Sequence, residues 1–139
     1  MRKRVGAIIF EGDSIILIKR VTRERTYWVF PGGEIDPGET KEEAMMRECK
    51  EELGIDIRIV KPFTEISHTV YGKEQKEYFF ICEKVGGVLG ASTGPEFTGD
   101  KKYYYRGTYE VVTVPKEKIK KINLLPEEVK ELVLKHVNM

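Results

Sequence analysis

The stretch from Thr40 to Gly54 constrains this chain more than any other part of it. Thr40 followed three residues later by Glu43 is a capping-box pattern, in which a hydroxyl and a carboxylate satisfy the first free amides of a helix. The pattern predicts a helix from about Lys41 to Leu53, with Gly54 as its left-handed stop. At ~100° per residue, Glu48, Glu51 and Glu52 share roughly a 100° arc with Ala44 at its centre, where a small side chain leaves room. Met45, Met46, Cys49 and Leu53 make the expected core face on the other side.

Stability alone does not favour this arrangement. Like charges one turn apart weaken a helix, and Glu51 and Glu52 sit near the negative end of its dipole. A hard divalent cation with oxygen ligands would compensate them. The plain alternative is a solvated glutamate-rich helix, with Arg47 paired to Glu51 or Glu43. The preceding segment argues against that alternative. Gly33 and Glu39 place a glycine loop and one more carboxylate at the helix entrance.

Around this helix the pattern is that of a strand-rich domain. Val5–Phe10 and Ser14–Lys19, separated by Glu11-Gly12-Asp13, predict a hairpin. Tyr27–Phe30 is a short strand ended by Pro31-Gly32-Gly33, and residues 34–39 read as a loop. Strands are expected at Ile55–Val60, Phe63–Tyr71, Glu77–Glu83 and Tyr109–Val114, with a turn at Gly72-Lys73. Val85–Gly107 holds six glycines and a proline and reads as a long loop, uncommon unless it has a function. Pro115–Ile122 is expected as a short helix, and Pro126 opens an amphipathic helix running to about His136. No repeat or linker divides residues 1–139, which predicts a single domain.

Charge and cysteine content narrow the function. Lys+Arg 24 against Asp+Glu 23 gives a net charge of +1, which speaks against duplex nucleic acid as the main partner. No apolar run approaches a membrane span of about 18 residues. Val5–Phe10 is too short for a signal-peptide core and reads as a strand. The two cysteines, Cys49 and Cys82, are too few for a disulfide scaffold or zinc site, and suit small core residues in a reducing cytoplasm.

Gly33, five residues, Glu39, seven residues, Arg47-Glu48, Cys49, one residue, Glu51-Glu52, one residue, Gly54 and Ile55 together resemble the Nudix box. Its charged and glycine positions are all filled; Cys49 stands where an aliphatic residue is usual, and a buried thiol is a reasonable substitute. The resemblance implies an α/β fold, a Nudix-type α/β/α sandwich with a mixed sheet. It also implies a hydrolase cleaving a pyrophosphate bond in a nucleoside diphosphate linked to another group. Nucleoside triphosphates, nucleotide sugars, ADP-ribose and dinucleoside polyphosphates are the substrate candidates. The alternative is a catalytically silent Nudix-fold nucleotide-binding or regulatory module, though such modules usually have eroded box glutamates.

Carried over by position, Glu48, Glu51, Glu52 and the carbonyl of Gly32 would bind Mg²⁺ (or Mn²⁺). Glu39 and Arg47 would brace the loop and orient the glutamates. Glu48 is the chosen general base and Glu52 its close rival, with Glu96 and Glu110 as candidates from outside the box. For the substrate, Lys19 and Arg20 are candidate phosphate contacts, and Trp28, with Tyr27 and Phe30, a candidate stacking face. Lys101, Lys102, Tyr103, Tyr104, Tyr105 and Arg106 could cover a ligand and contact phosphates, or equally form a solvated insertion or one that joins subunits in a homodimer. His68 and His136 default to structural roles. Relatives that act on oxidised guanine nucleotides often carry an asparagine two residues before the proline of the last helix. Here Leu124 has that spacing and Asn123 is one residue off, which weakens an oxidised-guanine reading.

Overall fold

The expected hairpin is formed by β1 (Arg2–Glu11) and β2 (Ser14–Val21). In this computed structural model, which describes residues 1–90 and 107–138, the two strands pair only beside their turn, at Phe10–Ile15 and Glu11–Ser14. Beyond it they part. β1 continues between β4 (Gly32–Glu34), antiparallel, and β6 (Lys73–Gly87), parallel, with β5 (Ile55–Val70) outside β6. β2 continues between β7 (Thr108–Pro115) and β3 (Thr26–Val29), and β8 (Leu124–Leu125) runs parallel to β3. The fork between the two halves of this mixed sheet is where a ligand has room.

Period-two alternation along the strands builds a core on each face. Val5, Ala7 and Ile9 of β1, Ile16 and Ile18 of β2, and Tyr78, Phe80 and Cys82 of β6 pack under α1 (Lys41–Leu53). Ile8, Ile15, Leu17 and Phe79 point the other way and pack with Val129 and Val133 of α2 (Glu127–Val137). Each fully buried Ile or Leu contributes roughly 1.5–3 kcal/mol, so both helices are held by burial more than by propensity. The result is the expected α/β/α sandwich. No helix among the described residues is long and apolar enough to cross a membrane.

Several elements depart from the sequence expectation. Ile55–Val60 and Phe63–Tyr71 are one strand, β5. Pro62 is tolerated there because β5 lies at the sheet edge and shifts register around it. β6 begins at Lys73 rather than Glu77. The three-residue β4 and two-residue β8 are too short to show a period. Lys116–Lys121 is a 3₁₀ helix. Of the long loop, Val85–Gly87 belongs to β6, and Lys101, Lys102, Tyr103, Tyr104, Tyr105, Arg106 and Glu96 lie outside the described residues.

Candidate functional site

α1 begins and ends as its sequence dictates. Thr40 Oγ1 accepts from the Glu43 amide at 3.0 Å, and the Glu43 carboxylate accepts from the Thr40 amide at 2.9 Å. Gly54 closes the helix at φ 77°, its amide donating to the Lys50 carbonyl. The orientation of the helix corrects one expectation. Ala44 is fully buried in the core with Met45, Cys49 and Leu53, while Met46 is exposed. At roughly 100° per residue, Ala44 and Leu53 bracket Glu48 and Glu52, so these carboxylates point inward rather than away from the core.

Two glycines make that inward placement possible. Gly33 lies against Glu48, and a Cβ built on it would stand 2.5 Å from Glu48 Oε1. Gly32, at φ 156°, is pressed against the β1 backbone, where a Cβ would collide with the Val5 carbonyl. Its amide donates to Glu52 Oε1 at 2.7 Å. The proline-glycine-glycine segment is therefore the surface that two carboxylates of α1 rest on.

Arg47 ties the same carboxylates to the preceding loop. Its Nε donates to Glu39 Oε2 at 2.7 Å and its Nη2 to Glu39 Oε1 at 2.9 Å, a bidentate pair. Nη2 also donates to the Glu34 carbonyl at 3.0 Å, and Nη1 reaches Glu48 Oε1 at 3.0 Å and Glu51 Oε2 at 3.3 Å. Glu39 accepts in addition from the Asp36 amide at 2.8 Å. The Arg47 hydrogen bonds, followed by this amide, hold the Glu39 carboxyl down at about 2 from an ordinary 4.5. The same Glu39 contact raises the Arg47 pKa further. Glu48 moves the other way: burial raises its pKa, against the opposing pull of Arg47. A carboxylate held low in pKa at 39 and one pushed up at 48 thus sit on one guanidinium.

The glutamates face a cleft of about 600 Å³ that fills the fork between β1 and β2. Glu48, Glu51 and Glu52 stand at its α1 side with Gly32 and Gly33. Arg2, Arg4 and Gly6 of β1 form one wall, and Arg20, Tyr27 and Tyr109 the other. Among the described residues no three carboxylate, imidazole or thiol groups converge into a ready-made ion cage. Of the substrate candidates, Arg20 lines the cleft, as do Tyr27 and Phe30. Lys19 and Trp28 do not. They are neighbours in sequence of Arg20 and Tyr27 on adjacent strands and so face the opposite side, where the Lys19 ammonium lies 5.7 Å from the Trp28 ring centre. Alternation turns Glu110 away for the same reason, opposite Lys19 and beside cleft-lining Tyr109.

Arg2, Arg4, Glu77 and Tyr109 reach the cleft unanticipated. Period two along Arg2-Lys3-Arg4-Val5-Gly6 is the one local signal that could have found the first two. Glu77 and Tyr109 arrive through pairings between distant strands, which no local pattern records.

The NUDIX domain family model matches residues 1–132. The chain belongs to the Nudix family. Among its curated relatives, the 8-oxo-dGDP phosphatase NUDT18 of Mus musculus is 33% identical over 121 residues, covering 83% of this chain and 35% of that protein. The RNA pyrophosphohydrolase of Nitratiruptor sp. is 36% identical over 108 residues, 68% of this chain and 69% of that protein. The chain thus spans only about a third of the NUDT18 relatives' length. Among solved structures, a NUDIX hydrolase from Nitrosomonas europaea superposes with a TM-score of 0.76 at 17% identity, covering 99% of this chain and 89% of that one. A MutT protein from Methanosarcina mazei gives 0.67 at 24%, covering 99% and 94%. These two show the same Nudix fold.

Proposed function

We propose that this chain is a divalent-metal-dependent hydrolase that breaks a phosphoanhydride bond in a small nucleotide. The observation that carries the reading is the placement of Glu48, Glu51 and Glu52 along one side of a cleft, Glu48 and Glu52 against the Gly32–Gly33 backbone, with arginines on the other walls. That donor set is all oxygen and acidic, which suits Mg²⁺ or Mn²⁺ and not a softer metal. The glycine cradle supplies the space. Glu48, Glu51, Glu52 and the Gly32 carbonyl would hold the ion. When bound, it would offset the charge of the phosphoanhydride and of the leaving phosphate.

The remaining work falls to the chain's own groups. Glu48, raised in pKa by burial, is suited to accept the proton of an attacking water. Glu52, held by the Gly32 amide, is the rival for that role. Arg47 fixes the direction of Glu48 and Glu51, and Glu39 fixes Arg47. Tyr27, Phe30 and Tyr109, the last with Arg20 stacked on its ring, line the cleft and would form its nucleoside side. Among the described residues Asn123 does not line the cleft and Leu124 is fully buried, so the residues at the spacing of the oxidised-guanine relatives lend that preference no support. The relatives' names, an 8-oxo-dGDP phosphatase and an RNA pyrophosphohydrolase among them, nonetheless favour nucleoside di- and triphosphates or RNA over nucleotide sugars. Two free, buried thiols accord with a cytoplasmic location.

The test is a panel of nucleoside di- and triphosphates, a 5′-triphosphate RNA oligonucleotide, nucleotide sugars, ADP-ribose and dinucleoside polyphosphates with Mg²⁺ or Mn²⁺, both products identified by mass spectrometry. The reading expects cleavage at a phosphoanhydride, and expects Glu52→Gln to lower turnover by orders of magnitude while the protein stays folded. Nucleotide binding without cleavage of any compound would instead support a silent nucleotide-binding module.

A further inference from the structure

Among the described residues three arginines reach the cleft, and their surroundings differ. Arg20 stacks on Tyr109, its guanidinium carbon 3.9 Å from the ring centre, and donates to the Tyr27 hydroxyl at 2.8 Å. Arg2, at the exposed end of β1, pairs with Glu34 at 3.4 Å. Arg4 is half-buried, and alternation along β1 puts it on the cleft face with Arg2 and Gly6.

Strand register sets two carboxylates directly opposite Arg4, Glu34 on β4 and Glu77 on β6. Both are engaged elsewhere. Glu34 Oε2 pairs with Arg2, while Glu77 Oε1 accepts from Gln75 Nε2 at 3.2 Å and stands 3.5 Å from His68 Nε2. Among the described residues Arg4 itself makes no ion pair. A guanidinium carries five donors in a fork that matches phosphate, and a half-buried one gains more from a direct anion contact than from charges beyond pairing distance. Its charge also acts on Glu48, so it stands at the glutamate side of the cleft.

We propose that Arg4 binds a phosphate of the substrate directly, on the β1 wall beside Glu48, with the nucleoside on the Tyr27–Tyr109 wall. The proposal rests on the hydrolase reading above and adds to it a phosphate-binding residue outside the glutamate helix, with Arg4 gripping the phosphate next to the attacked bond. Arg20, engaged with two tyrosines, then belongs to the nucleoside side of the cleft.

Inorganic tripolyphosphate is the probe. Its binding to the wild type, Arg4→Gln and Arg4→Lys is measured by calorimetry, in chelator and with Mg²⁺, beside steady-state kinetics and melting temperatures. Loss of a charge-assisted phosphate contact should weaken binding about 10- to 100-fold in Arg4→Gln. Arg4→Lys, which keeps the charge and loses the fork, should fall between. KM should rise by a similar factor, with kcat at saturation changed less. Tripolyphosphate bound by folded Arg4→Gln as tightly as by the wild type overturns the proposal. If Arg4→Gln does not fold, equal binding by Arg4→Lys and the wild type overturns it. Weakened binding in the variants, with a wild type that cleaves nothing, would keep the phosphate contact and end the hydrolase reading. Unchanged binding with an active wild type would do the reverse.

Discussion

Replacing Gly33 by alanine tests whether the glycine cradle exists for the sake of Glu48. The new Cβ would stand 2.5 Å from Glu48 Oε1, 2.6 Å from its Cδ and 2.7 Å from Oε2, where ordinary contact begins at 3.4 Å. The carboxylate must therefore retreat by about 1 Å, and a displacement of that size at a reacting group costs on the order of 10²-fold in rate. The fold should tolerate the change. The obstructing atoms are the end of a flexible side chain, whereas at Gly32 the obstruction is the β1 backbone. The assay is kcat for the best nucleotide substrate, with the melting temperature measured on the same sample. The expected result is a loss of about two orders of magnitude in kcat with little change in melting temperature. A folded Gly33→Ala protein with wild-type kcat would refute the reasoning, since Glu48 would then work from a position the structure does not give it.

Three further outcomes follow from the Arg47 network. Arg47→Lys keeps the charge but loses the bidentate pair with Glu39 and the bond to the Glu34 carbonyl, so activity should fall about 10- to 100-fold, as for other groups that orient ligands. This is checked by kcat/KM against melting temperature. Glu39, depressed from 4.5 to about 2 in the fold, stabilises the native state above the unfolded value and loses that contribution as pH falls towards 2. Denaturation at a series of pH values should therefore show the wild type more stable than Glu39→Gln at neutral pH, with the difference closing over that window. Glu48 has the opposite sign. Its folded pKa is raised, so its charge costs stability at neutral pH, and Glu48→Gln should melt higher while turning over far more slowly.

The functional helix was readable because its signals are local. A capping box, a glycine stop and the spacing of Arg47-Glu48 and Glu51-Glu52 all lie within one short stretch, and the helix bounds follow them to the residue. What the helical period could not supply was which arc faces inward. It set the glutamates opposite the core, because carboxylates ordinarily avoid it. The structure lets Glu48 and Glu52 turn inward because the partner strand offers two glycines instead of side chains. The cleft walls were readable only in part. Neighbouring residues on a strand point to opposite faces, so Lys19 and Arg20 could not both meet one substrate, nor could Tyr27 and Trp28; alternation alone did not say which of each pair would. Arg4 and Glu77 are set side by side by a parallel pairing of β1 with β6 across more than half the chain, and only the fold shows it.

The central claim is that α1 and the glycine segment gather a divalent cation for cleavage of a phosphoanhydride. The most direct measurement is turnover of the preferred nucleotide in excess chelator, followed by readdition of Mg²⁺, for the wild type and Glu52→Gln. The account predicts no turnover in chelator, full recovery on readdition for the wild type, and little recovery for Glu52→Gln. Undiminished turnover in chelator, or Glu52→Gln recovering like the wild type, would contradict it.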